Sequence, residues 1–246
     1  MRDLLPLEDI VYLADQAHVP YGDRDDDELV GLLAHNVAYL EAAGAEAIVM
    51  GCNTSCAVAA RRGWPSAKIP ILDLIAAAAT AVAASGARRI GVIATAATAR
   101  SGAYGNALRA LDPALAVQEV AAPKLVPLVE SGLLTGPIAR AAVAEAVACF
   151  AAPIDTLILA CTHYPLLEAE FAAVLGEGVA LVDPALAQAD AAVRFVRERG
   201  SGGGMGRALF ATTGPTDGYR SAIEAILGAP RPGDSVVGAA IVVRSI

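Results

Sequence analysis

The sequence has few basic side chains and few aromatic ones. Only two of its 246 residues are lysine, Lys68 and Lys124, and the formal net charge at pH 7 is −8. Because proteins that bind nucleic acid present basic surfaces, this charge argues against nucleic acid as a partner. Aromatic residues make up 4% of the chain, although 56% of its residues are hydrophobic. The apolar fraction is therefore mostly alanine, valine and leucine, which suffices for a sizeable core.

The sequence also lacks a long apolar run and a leader peptide pattern. The longest uncharged apolar stretch, residues 74–87, is shorter than the ~20 residues that span a bilayer. Residues 1–6 do not form a basic region followed by an apolar one, as a secretory signal would. Four cysteines in such a chain are expected to be reduced thiols. These features predict a soluble cytoplasmic protein with no membrane partner.

Short apolar runs alternate with helical patterns along most of the chain. Strands are predicted at residues 9–13, 47–50, 69–72, 89–94, 115–120, 156–159, 179–182 and 208–211. Helices are predicted at residues 25–44, 53–62, 74–85, 103–111, 138–150, 165–175, 184–199 and 216–227, with a polar ligand loop at 95–101 and a linker at 200–204. The acidic run at 25–28 is interpreted as a solvated helix start. Strands that alternate with helices of about 10–15 residues indicate parallel sheets.

Two cysteines occupy matching positions in this pattern. Cys52 follows one predicted strand within Gly51-Cys52-Asn53-Thr54, and Cys161 follows another within Ala160-Cys161-Thr162-His163. A residue between a strand end and a helix start lies where open α/β sheets bind ligands. The helix dipole and free backbone amides there are expected to lower the pKa of a thiol. We therefore predict that the two thiols face one substrate from opposite sides.

The polar and sulfur side chains also allow other interpretations. A cysteine at a strand end also packs well as a small hydrophobic residue, and Cys56 and Cys149, in helical contexts, are predicted to pack in the core. A metal site from Cys52, Cys56, Cys161 and His163 lacks the usual ligand spacing. Asp15 is predicted to anchor its loop by hydrogen bonds. His18 is predicted to be a surface-loop residue, while Thr95, Thr98 and Ser101 either line the cleft or cap a helix. Neither role is favoured over the other for these three residues.

The two halves of the chain repeat, with Cys52 and Cys161 separated by 109 residues. In the second half, the strand and loop at residues 90–98 precede Cys161. Moved back by 109 residues, that unit would fall before Met1. The first half is therefore expected to lack its opening strand, loop and part of a helix. Either the true start lies upstream, or one wall of the cleft has been lost.

The motifs around the two cysteines resemble those of glutamate racemases, in the cofactor-independent aspartate/glutamate racemase superfamily. The resemblance covers about residues 4–228, and its motifs are Asp15…Pro20-Tyr21-Gly22, Gly51-Cys52-Asn53-Thr54, Leu125-Val126-Pro127…Glu130-Ser131-Gly132, Cys161-Thr162-His163-Tyr164-Pro165 and Thr212-Thr213-Gly214. The opening Asp-Ser-Gly-Val-Gly-Gly loop of that family, which supplies an Asp and a Ser to the site, has no counterpart here. This is the same unit that the internal repeat predicts to be missing.

The resemblance implies a role for each matching residue. Cys52 and Cys161 match the catalytic cysteines, each of which removes or returns the α-proton on one face of glutamate. The substrate-binding residues it implies are Tyr21, Gly22, Asn53, Thr54, Thr162 and His163. Glu130 and His163 match polar groups that assist proton handling. Proton exchange between two thiols needs neither a metal nor a cofactor, and neither lysine lies in a setting that favours a pyridoxal Schiff base.

The predicted architecture is an α/β fold of two similar domains, related by a pseudo-two-fold axis. Each domain has a mainly parallel sheet flanked by helices, and the active site lies in the cleft between them. The first domain is expected to comprise residues 1–75 plus 185–246, and the second residues 76–184. Cys52 would then come from the first domain and Cys161 from the second. No function is predicted for residues 236–246.

The predicted function is glutamate racemisation, which supplies D-glutamate for bacterial peptidoglycan. Glutamate is the expected small-molecule partner, and a homodimer is left open. One alternative is an aspartate or hydantoin racemase of the same superfamily, which would keep both thiols and change the pocket. Another is an inactive or truncated racemase-like binding protein, because the Asp-Ser loop is absent from the sequence. Assays on glutamate against aspartate and α-proton exchange with solvent separate these alternatives.

Overall fold

The fold is built from parallel strands and the helices that connect them, as seen in a computed structural model that describes residues 1–200 and 203–239. The strands within these residues are β1 Ile10–Ala14, β2 Ile48–Val49, β3 Ile71–Leu72, β4 Arg89–Ala94, β5 Ala116–Ala121, β6 Thr156–Ala160, β7 Ala180–Val182, β8 Ala208–Thr212 and β9 Ser235–Gly238. The helices are α1 Asp26–Ala42, α2 Asn53–Arg62, α3 Leu74–Ala84, α4 Ala96–Ser101, α5 Ala103–Leu111, α6 Leu125–Glu130, α7 Pro137–Val147, α8 Glu168–Leu175, α9 Pro184–Arg199 and α10 Thr216–Leu227. Short 3-10 turns occur at Gln16–His18, Tyr21–Asp23 and Tyr164–Leu167.

The strands of the described chain form three sheets, and all of their pairings are parallel. The order is β5-β4-β6-β7 in the largest sheet, β1-β8-β9 in the second and β2-β3 in the third. Parallel pairing requires a crossover, and helices supply it here. The predicted fold class of parallel sheets flanked by helices is therefore confirmed. Among the described residues, no helix is both long and apolar enough to cross a membrane.

The central strands of the largest sheet bury apolar side chains on both faces. Ile158 of β6 belongs to one hydrophobic cluster, whereas Leu157 and Leu159 belong to the cluster on the other face. This alternation follows from the period of two along a strand. A strand covered on both sides reads as a continuous apolar run, which is why this stretch was predictable.

The sheet of the first half is divided where the second half has β4. In the second half, β5 and β6 both pair with β4. Their counterparts by the internal repeat, β1 and β2, share no strand among the described residues and lie in separate sheets. Val49 of β2 is 38% exposed and Tyr12 of β1 is 55% exposed, whereas Ile158 of β6 is fully buried. This division agrees with the expectation that the first half lacks a counterpart of β4.

The acidic start of α1 makes more contacts than the sequence predicted. Asp25 caps the helix by accepting a hydrogen bond from the Glu28 backbone N–H at 2.8 Å. Asp26 and Asp27 are not merely solvated, because they pair with Arg61 and Arg62 at the end of α2. Exposed ion pairs each contribute at most about 1 kcal/mol. They connect the start of α1 to the end of α2, the helix that follows Cys52.

Several predicted segments need correction. Residues 96–101 of the predicted loop form the short helix α4, and the Thr95 hydroxyl caps its N-terminus by accepting from Thr98 N–H at 3.3 Å. The helix predicted at 165–175 begins instead as a 3-10 turn. Residues 235–238 add the strand β9 to β8. Residues 240–246, part of the tail for which no function was predicted, lie outside the described residues, as do 201–202 of the predicted linker.

The predicted domain boundary passes through closely packed elements. Helix α3 packs against both α5 and α9. One hydrophobic cluster joins Leu33 and Val37 of α1 with Ile90 of β4 and Ile158 of β6. Residues of both predicted domains thus share a continuous apolar contact. The division into 1–75 plus 185–246 and 76–184 stays a prediction.

The divided sheet predicts unequal costs for two matched truncations. We expect Ile158→Ala to lower the free energy of unfolding by about 2–5 kcal/mol, because it leaves a cavity in a strand buried on both faces. Val49→Ala, at the matching position of β2, should cost about 1 kcal/mol or less, since Val49 is partly exposed. Urea unfolding followed by circular dichroism measures both. Equal losses would contradict the divided sheet.

Candidate active site

Cys52 lies between the end of β2 and the start of α2. It is the N-terminal flanking residue of the helix, with extended backbone angles (φ −113°, ψ 118°) and a partly exposed side chain. The buried Gln188 side chain of α9 fixes the adjacent strand ends. Its Nε2 donates to Met50 O at 3.0 Å and to Leu72 O at 2.7 Å. The carboxyl ends of β2 and β3 are thereby held together just before Cys52.

Cys161 follows β6 and is buried. Burial raises the pKa of the Cys161 thiol to about 11, while the backbone N–H groups of His163 and Tyr164 act in the opposite direction. The expectation that the setting lowers the pKa of this thiol is therefore wrong. A 3-10 turn, rather than a long helix, follows Cys161, so the opposing electrostatic stabilisation is limited. The thiol form of Cys161 predominates at neutral pH.

His163 connects Cys161 to a carboxylate. Its Nδ1 lies 3.8 Å from Cys161 Sγ, and its Nε2 lies 2.5 Å from Glu130 Oε1 at the end of α6. An ionised carboxylate only accepts hydrogen bonds, so Nε2 is the protonated nitrogen. In a neutral imidazole, Nδ1 is then free to accept a proton from the Cys161 thiol. The structure connects Cys161, His163 and Glu130 by consecutive side-chain contacts, and Thr162 is exposed beside them.

Asn53 and Thr54 lie at the start of α2, and both are buried. The Tyr104 hydroxyl of α5 donates to Asn53 Oδ1 at 2.5 Å. Thr54 Oγ1 lies 3.3 Å from Thr95 Oγ1 and 3.4 Å from Thr98 Oγ1. These contacts join the turn after Cys52 to the turn after β4. Thr95 thus fulfils the predicted capping role at α4, and Thr98 is fully buried behind it. A role of Thr95 in lining the cleft stays a prediction.

Tyr21 and Gly22 approach the same region from the turn after β1. A Cβ added at Gly22 would lie 3.3 Å from Thr95 Cβ, so the turn contacts the residue that also meets Thr54. The Tyr21 hydroxyl donates to Asp15 Oδ2 at 2.5 Å and accepts from Asn36 Nδ2 at 3.1 Å. This hydroxyl is thus committed to the protein. Tyr21 offers a ligand its ring and backbone.

Asp15 anchors this turn, as the sequence predicted. In addition to Tyr21, its carboxylate accepts from His18 Nδ1 at 2.7 Å and from Thr213 Oγ1 at 2.8 Å. Burial alone would raise the pKa of Asp15, but the hydrogen bonds from Tyr21, His18 and Thr213 outweigh it and lower the pKa. His18 lies in a loop turn with a partly exposed side chain, as predicted for a surface-loop residue, and it also belongs to this cluster.

The electric field of Cys52 reaches the groups around the site. A charge on Cys52 raises the pKa of Cys161 and, as a smaller contribution than burial, that of Tyr21. The two thiols therefore lie within electrostatic range of each other, and one thiolate disfavours a second. Tyr12 of β1 responds to Cys52 in the same way.

The two remaining cysteines differ from each other. Cys56 is fully buried within a hydrophobic cluster, which confirms its predicted place in the core. Cys149 is exposed, so the prediction that it packs in the core is wrong. Helix α7 ends at Val147, and Cys149 lies in the turn beyond it, where the apolar pattern of the helix no longer applies.

Sequence reasoning missed two residues that organise the site. Tyr104 was part of a predicted helix with no assigned role, and Thr213 was noted only as part of a motif. Tyr104 and Asn53 are 51 residues apart in the chain, and Thr213 and Asp15 are 198 apart. No local pattern marks such pairs. The one available signal is a tyrosine in an alanine-rich helix, whose hydroxyl needs a partner when buried.

Parallel α/β architecture with two thiols at matched strand ends defines the class of this protein: an α/β protein with a paired-cysteine site. The Asp/Glu/Hydantoin racemase family model matches residues 7–192. Because this match covers more than half of the chain, the protein belongs to the Asp/Glu/Hydantoin racemase family. The resemblance found in the sequence is thereby confirmed at the level of the family.

Similar sequences and structures come from several bacteria. The glutamate racemase of Desulforudis audaxviator is 45% identical over 203 residues, covering 80% of this chain and 73% of the relative. The solved structure of glutamate racemase isoform RacE1 from Bacillus anthracis has a TM-score of 0.86 at 32% identity, covering 96% of this chain and 90% of that one. The glutamate racemase of Francisella tularensis, solved with D-glutamate, has a TM-score of 0.84 at 29% identity, covering 96% and 89%.

The Asp15 cluster predicts a pH-dependent contribution to stability. Because hydrogen bonds lower the pKa of Asp15 in the folded protein, its contribution is present above its unfolded pKa, near 3.8, and is lost as pH falls through the lower folded value. Asp15→Asn should cost about 1.5–3 kcal/mol at neutral pH. Urea unfolding between about pH 7 and pH 2 should show a steady difference near neutral pH and convergence of the two proteins as pH falls below about 4. A difference independent of pH would contradict the assigned hydrogen bonds.

Proposed function

We propose that this protein is a glutamate racemase, which interconverts L- and D-glutamate by proton transfer through Cys52 and Cys161. The observation that carries the proposal is the pair of thiols at matched strand ends, within electrostatic range of each other. The residues around the thiols also support the proposal, because polar groups that can bind an amino acid follow each cysteine. The substrate is inferred from the relatives, whose names identify them as glutamate racemases.

The proposed reaction moves one proton off the α-carbon and another onto its opposite face. In one direction, Cys52 arrives as the thiolate and takes the proton, while the Cys161 thiol donates its own. Cys52 leaves as the thiol and Cys161 as the thiolate, so that protons and charge balance. The raised pKa of Cys161 suits the donor role, since its proton is in place at neutral pH.

The reverse direction requires Cys161 to lose its proton first. The proposed acceptor is His163 Nδ1, the nearer imidazole nitrogen at 3.8 Å from Sγ. Transfer would leave an imidazolium at His163 and a thiolate at Cys161. The Glu130 carboxylate, 2.5 Å from Nε2, would then compensate the positive charge. Glu130 thus acts through His163 and has no direct part in the proton transfer.

The developing negative charge on the substrate needs preorganised donors. The α-proton of an amino acid is weakly acidic, so stabilising this charge supplies a large part of the catalysis. Asn53 and Thr54 beside Cys52, and Thr162 and backbone amides beside Cys161, are the proposed donors. Tyr21 and Gly22 complete the proposed binding site from the Asp15-anchored turn. None of these roles calls on a metal or an organic cofactor.

The proposal extends to the cellular role. D-Glutamate made by such an enzyme would supply peptidoglycan synthesis in the cytoplasm. The four cysteines of the described chain are free thiols, which suits a reducing compartment. The solved relative with bound D-glutamate supports a small amino acid as the ligand.

The substrate is tested by α-proton exchange. In deuterium oxide, the purified protein is expected to racemise L-glutamate and to place deuterium on the α-carbon, because the proton returned comes from an exchangeable thiol. Aspartate serves as the matched control, one methylene shorter, and should react at least about 10-fold more slowly. Nuclear magnetic resonance and chiral chromatography measure both processes. A preference for aspartate would overturn the substrate, and no exchange with either amino acid would overturn the racemase proposal.

Single cysteine variants test the roles of the thiols. We expect Cys52→Ala and Cys161→Ala each to lower the racemisation rate by at least about 10²–10⁴-fold, the usual effect of losing a catalytic acid or base. Cys149→Ala is the control, since its thiol is exposed beyond α7, and it should keep the wild-type rate. Full racemase activity in both Cys52→Ala and Cys161→Ala would contradict the two-thiol mechanism.

A further inference from the structure

Tyr104 lies behind the start of α2 rather than among the residues assigned to the site. Its side chain is fully buried in α5. Its hydroxyl donates to Asn53 Oδ1 at 2.5 Å, and both residues are buried at this contact. Asn53 directly follows Cys52. A hydrogen bond from a residue of the hydrophobic cluster therefore reaches the polar side chain that directly follows a proposed catalytic thiol in the sequence.

The two ends of an asparagine amide have nearly the same shape and opposite hydrogen-bonding character. The carbonyl accepts, and the amino group donates two protons. Because Tyr104 occupies Oδ1, the Nδ2 end is the one left over. Among the described residues, Asn53 Nδ2 has no hydrogen-bond partner, yet it is not one of the fully enclosed unsatisfied atoms. It is therefore accessible to a ligand.

The surroundings of Tyr104 keep its hydroxyl a donor. Burial raises the pKa of Tyr104 far above its ordinary value, and the nearby carboxylates of Asp73 and Glu119 act in the same direction. A neutral phenol retains the proton that it gives to Asn53. A rotated amide would present Nδ2 to the hydroxyl and turn Oδ1 towards the ligand. The buried phenol would then lose its acceptor, which is costly.

We propose that Tyr104 is a positioning residue: by donating to Asn53 Oδ1, it keeps the amino end of the Asn53 amide turned towards the ligand. In that orientation Asn53 binds an anionic oxygen, such as a carboxylate oxygen, and not an ammonium group. The inference rests on the proposed function for its choice of ligand, glutamate. The amide orientation itself depends only on the Tyr104–Asn53 contact.

Tyr104→Phe tests the proposal, since it removes the hydroxyl and keeps the ring. We expect KM for glutamate to rise on the order of 10-fold, because a freely rotating amide presents its carbonyl to a carboxylate part of the time. The value of kcat should change less. Tyr219→Phe is the matched control: Tyr219 is also a buried tyrosine, and its hydroxyl has no partner in the described chain. It should keep the wild-type KM.

Two further measurements distinguish positioning from general structural support. In an Asn53→Ala background, adding Tyr104→Phe should leave KM unchanged, because the amide that it orients is gone. Asn53→Asp offers an acceptor in either orientation and should raise KM at least as much as Tyr104→Phe does. A Tyr104→Phe effect that persists undiminished in the Asn53→Ala background would overturn the proposal, as would a wild-type KM in Tyr104→Phe.

The amide orientation can be followed without any activity. In ¹⁵N nuclear magnetic resonance spectra, the Asn53 side-chain amide should give one sharp pair of proton signals in the wild type. Those signals should broaden or multiply in Tyr104→Phe and stay unchanged in Tyr219→Phe. If the wild type racemises neither amino acid, the proposed function fails while this measurement still decides the inference. An Asn53 signal unaffected by Tyr104→Phe would overturn it.

Discussion

The site depends on one constraint: the polar groups buried behind Cys52 must find partners within the protein. Asn53 and Thr54 cannot reach water freely, so they bond to Tyr104, Thr95 and Thr98. An unpaired buried donor or acceptor costs about 1–3 kcal/mol. These pairings join the turn after β2 to the turn after β4. The hydrogen bonds of Asn53 and Thr54 therefore also hold Cys52 in place, because Cys52 directly precedes these two residues in the chain.

The two thiols differ because their surroundings differ. Cys161 ends a strand that is buried on both faces, and burial holds its proton in place. Cys52 ends the two-stranded β2-β3 sheet and is partly exposed. His163 and Glu130 lie beside Cys161, the thiol whose proton is retained by burial. The repeat therefore supplies two similar positions, while the divided sheet and the imidazole give the two thiols different surroundings.

Much of this fold could be predicted from the sequence, because continuous apolar runs and helix caps are local signals. Strand β4 and helix α5 have the predicted bounds, and both cysteines follow the predicted strands. The failures have physical causes. The apolar pattern extended the predicted helix to residue 150 and so placed Cys149 within it, whereas the helix ends at Val147. Residues 96–101 were predicted as a loop, but they form a helix whose start is capped by the Thr95 hydroxyl. The pairing of Tyr104 with Asn53 depends on tertiary packing, which no sequence window contains.

The central claim is that Cys52 and Cys161 serve opposite faces of one amino acid. The most direct measurement is α-proton exchange in deuterium oxide, with each enantiomer of glutamate given separately to Cys52→Ala and Cys161→Ala. A single remaining thiol can remove and return a proton on one face only. We predict that each variant exchanges one enantiomer without inverting it, and that the two variants exchange opposite enantiomers. Exchange of the same enantiomer by both variants would contradict the account.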